Sequence, residues 1–543
     1  MLASQAVGRA LVALGADRVF GVVGSGNFHA TNAMIAAGAD YVAARHEGGA
    51  ATMADAYARV SGRLGVLTVH QGPGLTNATT GITEAAKSRT PLVVLAADTG
   101  AAAVRSNFRI DQGGLATAVG AVAERVHTPG SAVADTVRAV RTAVLERRTV
   151  VLNLPLDVQA GTVPDDALDG LVPVTPLPAP RPAAESVEAL AALLAGAHRP
   201  VFLAGRGARG AGPALAALAE RCGALLATSA VAKGLFAGHP WALDVSGGFA
   251  TPLAAELIGE ADVVVAWGCS MSMWTTRHGR LIGPHATVAQ VDLDVDALGA
   301  HRTIDLPVLG DVGATAAALD LNPSPGYRTD ALADRIAAEG RWRDVSYVDG
   351  SGADTIDPRT LTIALDDLLP AQRLVAVDSG NFMGYPSMYL SVPDEGGFCF
   401  TQAFQSIGLG LGTAIGAALA RPDRLTVAAL GDGGILMAVS ELETAVRIGL
   451  PLVIVVYDDR GYGAEVHHFG PDGFDLGTVR FPDADIASIA RGFGCAGVTV
   501  RRPADLAPLT DWLAGPRTAP IVIDAKVTAD TGSWWLEEAF RGH

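Results

Sequence analysis

The chain has 543 residues, of which 49% are hydrophobic and 18% charged, and its formal net charge is -16. This is the composition of a globular protein with an ample core, and the length indicates about three domains. The acidic balance argues against nonspecific nucleic-acid binding. It does not exclude a small charged substrate, because a local site can oppose the sign of the whole surface.

The N-terminal stretch MLASQAVGRALVALGADRVFGVVG is apolar, but it has no basic n-region and is interrupted by Asp17 and Arg18. It therefore predicts a helix and a strand rather than a signal peptide. Four scattered cysteines without CxxC spacing indicate neither a disulfide framework nor a zinc site, and they are typical of the cytoplasm. No uncharged apolar run reaches 18 residues, so we expect no membrane span.

Short apolar runs alternate with helical stretches from one end of the chain to the other. The runs that we expect to be buried strands are RVFGVVG (18–24), GVLTVH (65–70), PLVVLAA (91–97), PVFLAG (200–205), ALLATS (224–229), DVVVAWG (262–268), ATVAQVDLD (286–294), RLVAVDSG (373–380), LTVAALGDG (425–433), PLVIVVY (451–457) and PIVIDAKV (520–527). Continuous Val, Ile and Leu runs separated by helices predict parallel sheets that are covered on both faces.

Two segments interrupt this alternation. Residues 161–185 are rich in Pro and Asp, and residues 321–357 contain NPSPGY and a polar helix, so both are predicted to be linkers. They leave three doubly wound α/β domains, at residues 1–160, 186–320 and 358–530.

Residues 425–463 carry the strongest chemical signal. One apolar run ends in GDGG (431–434), a helical stretch follows, and the next run ends in Asp458 and Asp459. In a βαβ unit both strands end at the same rim, where ligands of open α/β sheets bind. The glycines expose backbone N–H groups to an anion, and Mg²⁺ is held by carboxylates together with phosphate oxygens. Either signal alone also fits an ordinary turn; together they favour a Mg²⁺–diphosphate clamp.

The combination resembles the cofactor motif of thiamine-diphosphate-dependent enzymes, in which GDG is followed, here after 24 residues, by a pair that is usually Asn-Asn. The resemblance implies that Asp432, Asp459 and the carbonyl of Gly461 bind Mg²⁺. Asp in place of Asn adds negative charge but keeps the oxygen ligand that a hard cation accepts. The cofactor contacts implied by the resemblance are Asn77, Ser379, Asn381, Ile407, Asp432, Gly433, Gly434, Asp459, Gly461, Tyr462 and Gly463.

Three further family segments carry Glu47 and two of these cofactor contacts, Asn77 and Ile407. Glu47, in YVAARHEGG, stands where the family glutamate hydrogen-bonds the cofactor aminopyrimidine and promotes loss of the C2 proton. The same residue also fits a helix-start glutamate favoured by the macrodipole. Asn77 lies in the glycine loop TVHQGPGLTN. Ile407, in QAFQSIGLGLG, is at the position of the apolar wedge that bends the cofactor, in a stretch that equally predicts a closely packed Gly/Ala helix.

The resemblance covers nearly the whole chain and is closest to the acetolactate synthase, pyruvate oxidase and benzaldehyde lyase branch. It implies decarboxylation and carboligation of a 2-oxo acid through a C2-bound enamine. The alternatives are a lyase of 2-hydroxy ketones, an aromatic 2-oxo acid decarboxylase, and a cofactor-binding protein without turnover. The branch also implies a homodimer or homotetramer, with each active site between the N-terminal domain of one subunit and the C-terminal domain of another.

The candidate catalytic residues beside Glu47 are His29, His70 and Gln112. A histidine with a near-neutral pKa can move protons to and from a reacting carbonyl, although each histidine alone fits a surface or packing role. His468 stands where acetolactate synthases carry an acceptor-selecting tryptophan, so we expect a different acceptor. Glu465 belongs to the same loop, which either lines a substrate channel or is solvated.

Two further motifs each have more than one interpretation. GRGARG (205–210) fits GxGxxG after a strand, but the acidic residue of a dinucleotide fold is not evident, so FAD is retained only as an alternative. The aromatic and charged C-terminus, GSWWLEEAFRGH (532–543), is either a lid over the site or an interface segment.

Overall fold

The computed structural model describes residues 1–529 and 532–536. Residues 537–543, which belong to the C-terminal segment expected to be a lid or an interface, lie outside the described residues. The described chain contains three six-stranded parallel sheets, each flanked by helices, which confirms the predicted fold class. Of the helices in these two ranges, none combines the length and apolar character needed to cross a bilayer.

The N-terminal sheet has the strand order β2-β1-β3-β4-β6-β5. Its strands are β1 (Arg18–Gly21), β2 (Asp40–Ala43), β3 (Gly65–Val69), β4 (Leu92–Asp98), β5 (Val122–Arg125) and β6 (Thr149–Pro155). Its helices are α1 (Ala3–Ala13), α2 (Phe28–Ala36), α3 (Glu47–Ser61), α4 (Pro73–Asn77), α5 (Thr79–Lys87), α6 (Gln112–Ala118), α7 (Ala132–Leu145) and α8 (Leu156–Gln159).

The central sheet has the order β12-β11-β10-β7-β8-β9. Its strands are β7 (Pro200–Ala204), β8 (Leu225–Thr228), β9 (Ala242–Val245), β10 (Val263–Trp267), β11 (Thr287–Asp292) and β12 (Leu306–Leu309). The helices are α9 (Ala184–Ala195), α10 (Gly212–Cys222), α11 (Pro252–Gly259), α12 (Met273–Thr276), α13 (Val312–Ala318) and α14 (Asp330–Glu339).

The C-terminal sheet has the order β14-β13-β15-β16-β18-β17. Its strands are β13 (Arg373–Val377), β14 (Phe398–Phe400), β15 (Leu425–Gly431), β16 (Leu452–Asp458), β17 (Ala496–Val500) and β18 (Ile521–Lys526). The helices are α15 (Pro358–Leu368), α16 (Gly384–Tyr389), α17 (Gly410–Ala420), α18 (Asp432–Met437), α19 (Glu441–Arg447), α20 (Gly463–Phe469), α21 (Ile486–Gly492) and α22 (Ala507–Ala514).

The N- and C-terminal domains pack through α3 and α17, whose apolar residues share one buried core. Two glycines of α17 allow this close approach. A Cβ on Gly416 would lie 2.2 Å from the backbone oxygen of Met53, and one on Gly412 would lie 3.0 Å from Thr52 Cβ. The prediction that small residues keep this helix close to its neighbours is confirmed.

The GRGARG loop connects all three domains. A Cβ on Gly205 would lie 2.3 Å from the oxygen of Gly268, so this glycine is required by the packing of two central-domain loops. Arg206 donates to the carbonyl of Ser88 in the N-terminal domain, and Arg209 Nη2 donates to the carbonyl of Phe398 in the C-terminal domain at 3.0 Å. The arginines of the motif therefore join the domains.

Candidate active site

A cavity of about 410 Å³ opens at the carboxyl ends of β13, β15 and β16 in the C-terminal domain. This is the rim at which a parallel sheet binds its ligands. Ten of the predicted cofactor or metal residues line it: Ser379, Asn381, Ile407, Asp432, Gly433, Gly434, Asp459, Gly461, Tyr462 and Gly463.

Two carboxylates dominate the electrostatics of this cavity. Burial, followed by the charge of Asp458, raises the pKa of Asp432 to about 7. Burial, followed by the charges of Asp432 and Asp458, raises the pKa of Asp459 to about 8. Within the described parts of the chain, no Lys, Arg or His side chain lines the cavity. Desolvated carboxylates without a basic partner are a fitting donor set for a hard divalent cation.

Asp458 is used differently from its neighbour. It is the last residue of β16, only 2% exposed, and its Oδ2 accepts a hydrogen bond from Lys526 Nζ at 2.5 Å. Successive residues along the chain point to opposite faces of a sheet. Asp458 lies on the same face as its cross-strand neighbour Lys526 of β18, and Asp459 lines the cavity. The paired acids at the end of β16 are therefore one structural and one cavity-facing carboxylate.

The glycines at the start of α18 are required by close neighbours. A Cβ on Gly433 would lie 2.7 Å from the ring of Tyr462, and one on Gly434 would lie 2.4 Å from Asp378 Oδ2. Asp378 accepts from the backbone N–H of Gly408 at 2.9 Å, and burial raises its pKa to about 6. Asp378 thus holds the loop that carries Ile407 against the loop of Asp432.

The N-terminal domain presents a second group of predicted residues. Glu47 is the first residue of α3, half-buried, and its Oε2 accepts from Asn77 Nδ2 at 3.0 Å. A Cβ on Gly74 would lie 3.5 Å from Glu47 Oε1 and 3.2 Å from His70 Cβ, so the glutamate and the histidine flank the same glycine. The structure brings Glu47, Asn77 and His70 together, apart from the lining of the cavity in the same chain.

The two candidate histidines differ in their surroundings. His70 Nδ1 lies 2.8 Å from the carbonyl oxygen of Gln71, and the ring packs edge-to-face on Phe108. Because a carbonyl only accepts, Nδ1 carries the proton, and Nε2 of the neutral ring is left as an acceptor. His29 is exposed on α2 and contacts Phe28.

Gln112 is not placed as a substrate-facing residue. It is the first residue of α6 and only 3% exposed, and its Oε1 accepts from Gly72 N at 2.8 Å. Its Nε2 donates to the carbonyl of Ala97 at 2.9 Å and to Asn153 Oδ1 at 2.7 Å. We expected Gln112 to face the substrate. In the structure its amide instead hydrogen-bonds groups of its own domain and holds the glycine loop.

Some residues of the site carry no signal in the sequence. Met273 and Trp274 of the central domain line the cavity. Glu465 of α20 lines it as well, but it belongs to the loop that the sequence predicted to be either channel-lining or solvated. Glu441 hydrogen-bonds the backbone of His46, which lies 395 positions away. Such contacts depend on how the domains pack, and no local sequence pattern predicts them.

The chain matches known protein families in each of its three domains. Three family models match: the thiamine pyrophosphate enzyme N-terminal TPP binding domain over residues 1–121, the central domain over 187–319, and the C-terminal TPP binding domain over 378–525. Thiamine pyrophosphate is a synonym of thiamine diphosphate. The matches include the whole central sheet and most strands of the other two sheets, while β5, β6 and β13 lie outside the matched ranges.

The curated relatives span several reactions. The chain is 31% identical to a sulfoacetaldehyde acetyltransferase of Alcaligenes xylosoxydans xylosoxydans, covering 94% of this chain and 89% of the relative. It is 31% identical to a probable 2-ketoarginine decarboxylase of Pseudomonas aeruginosa, covering 93% and 90%. It is 29% identical to the large subunit of acetolactate synthase isozyme 2 of Escherichia coli, covering 96% of each chain.

Proposed function

The chain belongs to the thiamine-diphosphate-dependent enzyme family, and from this premise we propose that it is a Mg²⁺-dependent decarboxylase and carboligase of 2-oxo acids. The observation that carries the proposal is the pair of cavity-facing carboxylates, Asp432 and Asp459, on one wall with Gly461. Burial, followed by the charges of neighbouring carboxylates, raises the pKa of both groups, and no basic side chain in the described lining offsets their negative charge.

Each group of residues has a distinct task in this proposal. Asp432, Asp459 and the carbonyl of Gly461 hold Mg²⁺, and Ser379 and Asn381 face the diphosphate. When bound, thiamine diphosphate supplies the carbon centre that accepts electrons from a decarboxylating 2-oxo acid. The protein binds and orients it and excludes water from the reacting atoms.

The N-terminal residues control protons. Glu47 would hydrogen-bond the aminopyrimidine ring of the cofactor and exchange a proton with it, and Asn77, through its 3.0 Å bond, fixes the orientation of that carboxylate. His70, with Nε2 as an acceptor, takes or returns a proton at the substrate oxygen. Ile407 lines the cavity, where it would pack against the cofactor.

The proposed assembly is a homodimer or homotetramer in which these two groups meet across an interface. The support is that Glu47 and His70 do not belong to the cavity lining of their own chain. Exposed apolar side chains accompany both groups, with Phe108 43% exposed beside His70 and Met437 59% exposed at the cavity. Four buried free cysteines are compatible with a reducing compartment such as the cytoplasm.

A second candidate is acetyl transfer from a substrate such as sulfoacetaldehyde, which is the activity named for four relatives. A sulfonate is normally recognised by basic side chains, and none lines the described cavity. We therefore rank decarboxylation and carboligation of a 2-oxo acid first. Cleavage of 2-hydroxy ketones remains the alternative in which His29 and His70 carry the proton transfers.

The test is turnover of pyruvate by purified protein with thiamine diphosphate and Mg²⁺, followed by proton NMR. Acetolactate or acetoin is the expected product. A parallel panel contains an aromatic 2-oxo acid, 2-ketoarginine, sulfoacetaldehyde with phosphate, and benzoin. Consumption of only sulfoacetaldehyde or benzoin would overturn the proposal in favour of the corresponding alternative, and failure to bind the cofactor would overturn it entirely.

A further inference from the structure

Glu441 is a buried carboxylate that lies at the junction of the N- and C-terminal domains. It is the first residue of α19 and 1% exposed. Its Oε1 accepts from the backbone N–H groups of His46 at 2.9 Å and Arg45 at 3.1 Å, and its Oε2 accepts from Thr444 Oγ1 at 2.7 Å. A buried charge is tolerated only when it is paired or hydrogen-bonded, and here three N–H and O–H donors meet that requirement.

The two backbone donors directly precede Glu47. His46 is the N-cap of α3, in extended conformation, and its Nδ1 accepts from Gly48 N at 3.0 Å. A Cβ on Gly49 would lie 2.5 Å from Glu441 Oε1, so the first turn of α3 rests on this carboxylate. Glu441 therefore fixes the backbone at which Glu47 enters its helix.

Two further residues of α19 contact the flanks of the same loop, without accepting from the backbone N–H groups of Arg45 and His46. Glu443 Oε2 accepts from Arg45 Nε at 2.6 Å, and Arg447 donates to the carbonyl of Ala43 at the end of β2. Glu441 lies nine positions after Asp432, and only α18 and the turn into α19 separate them. A short rigid path thus joins the cation-facing wall of the C-terminal domain to the backbone of Glu47.

We propose that Glu441 is a positioning residue for Glu47, an inference that rests on the proposed function. The carboxylate of Glu47 must point at one ring atom of the cofactor, and a displacement of about 1 Å at a reacting group costs about a hundredfold in rate. In Glu441→Gln the backbone N–H groups of Arg45 and His46 are left with a neutral amide oxygen, which is a weaker acceptor than a carboxylate. The Nε2 that replaces Oε2 cannot accept from Thr444, so the loop and Glu47 are held less firmly.

The test compares Glu441→Gln with Glu443→Gln, a matched change two positions away in a carboxylate that accepts from the side chains of Arg45 and Arg447. For Glu441→Gln we expect kcat to fall about tenfold to hundredfold, while KM and the dissociation constant for thiamine diphosphate with Mg²⁺ stay unchanged. Glu443→Gln should retain the wild-type kcat. Thr444→Val, which deletes a single donor and conserves shape, should give a smaller loss of the same kind.

Amide hydrogen exchange of the cofactor-free protein supplies a readout that is independent of turnover. Residues 45–49 should exchange faster in Glu441→Gln than in Glu443→Gln, while the melting temperatures of the two variants agree. An unchanged kcat, or unchanged exchange at residues 45–49, overturns the inference. A parallel fall of kcat, cofactor affinity and melting temperature would instead assign Glu441 a general structural role. Lack of turnover in the wild type counts against the proposed function, whereas the exchange comparison still decides whether Glu441 holds this loop.

Discussion

Lys526 and Asp458 are direct cross-strand neighbours in β18 and β16, and Lys526 Nζ lies 2.5 Å from Asp458 Oδ2. The ammonium group also lies 2.7 Å from Asp483 Oδ1 and 3.1 Å from Asp524 Oδ2. A single buried cation therefore balances three carboxylates directly behind the cavity. Asp459, the next residue after Asp458, is left without a basic partner in the described lining and faces the cavity.

Replacing Lys526 with Met should destabilise the C-terminal domain strongly, because Asp458, Asp483 and Asp524 would lose the ammonium group that contacts all three. We expect a loss of about 3 kcal/mol, which corresponds to a fall of about 6–12 °C in melting temperature for a domain of this size. Differential scanning fluorimetry measures this shift. The double variant with Asp458→Asn should recover part of the loss, and equal melting temperatures of Lys526→Met and wild type would contradict the assignment.

Asp459→Asn should retain a cation site, since the amide keeps one ligand oxygen, whereas Asp459→Ala should not. We expect the dissociation constant for Mg²⁺ to rise about tenfold in Asp459→Asn and about a hundredfold or more in Asp459→Ala. Titration of Mg²⁺ in the presence of thiamine diphosphate, followed by tryptophan fluorescence, gives both constants. Chelation with EDTA should release the cofactor from the wild type, and retention of the cofactor after chelation would exclude a metal-linked diphosphate.

The central strands of the fold could be predicted from the sequence, and the edge strands could not. Every apolar run identified in the sequence is a strand in the structure. The edge strands β2, β5, β9, β12, β14 and β17 are absent from those runs, and most have partly exposed residues. An edge strand is covered on fewer sides, so its residues need not form a continuous apolar run. The fully buried strand β6 is likewise absent from the apolar runs identified in the sequence.

The residues of the candidate site likewise fall into those that the sequence predicts and those that it does not. Residues that share a short motif, such as Asp432 and the glycines after it, were predicted because the βαβ crossover brings neighbouring strand ends together. Glu441 and Lys526 were not, since their partners lie far away in the chain. Gln112 shows the opposite case, in which a polar residue at a suggestive position is engaged by backbone and side-chain groups of its own domain.

Glu47→Gln should abolish turnover without altering the fold. The amide cannot take a proton from the aminopyrimidine, and its Nε2 would face the donor group of Asn77 if it occupied the position of Oε2. We expect kcat to fall about a hundredfold or more, with cofactor affinity reduced much less. Glu188→Gln, at an exposed position of α9, serves as the matched control. Wild-type turnover in Glu47→Gln would contradict the role proposed for this residue.

Glu465 should make the enzyme discriminate against substrates with anionic ends. Its half-buried carboxylate lines the cavity, and none of the described residues that line this cavity is basic. We expect kcat/KM for 2-oxoadipate to be about tenfold below that for 2-oxohexanoate, and 2-ketoarginine to be used at least as well as the neutral acid. Initial rates with the three acids measure this. Glu465→Gln should bring the three values together, and an unchanged order in this variant would show that other charges select the substrate.

The described part of the C-terminal segment packs on its own chain. Trp535 is 2% exposed and lies edge-to-face with Tyr385 of the C-terminal domain and Phe249 of the central domain. Next to it, Ser533 Oγ lies 2.6 Å from Asn381 Oδ1 and 2.8 Å from the backbone carbonyl oxygen of Asn381, so the shorter contact is to the side-chain amide. Because that hydroxyl donates to the amide oxygen, Asn381 presents its Nδ2 to Asp459, which it hydrogen-bonds.

Ser533→Ala should therefore weaken cofactor binding even though Ser533 does not line the cavity. Without the hydroxyl the amide of Asn381 can rotate, and its oxygen then faces the Asp459 carboxylate, which is unfavourable. We expect the dissociation constant for thiamine diphosphate at fixed Mg²⁺ to rise about tenfold, as measured by calorimetric titration. Ser488→Ala, at an exposed position of α21, should leave it unchanged. A lower melting temperature with unchanged affinity would show that residues 532–536 stabilise the domain junction without orienting Asn381.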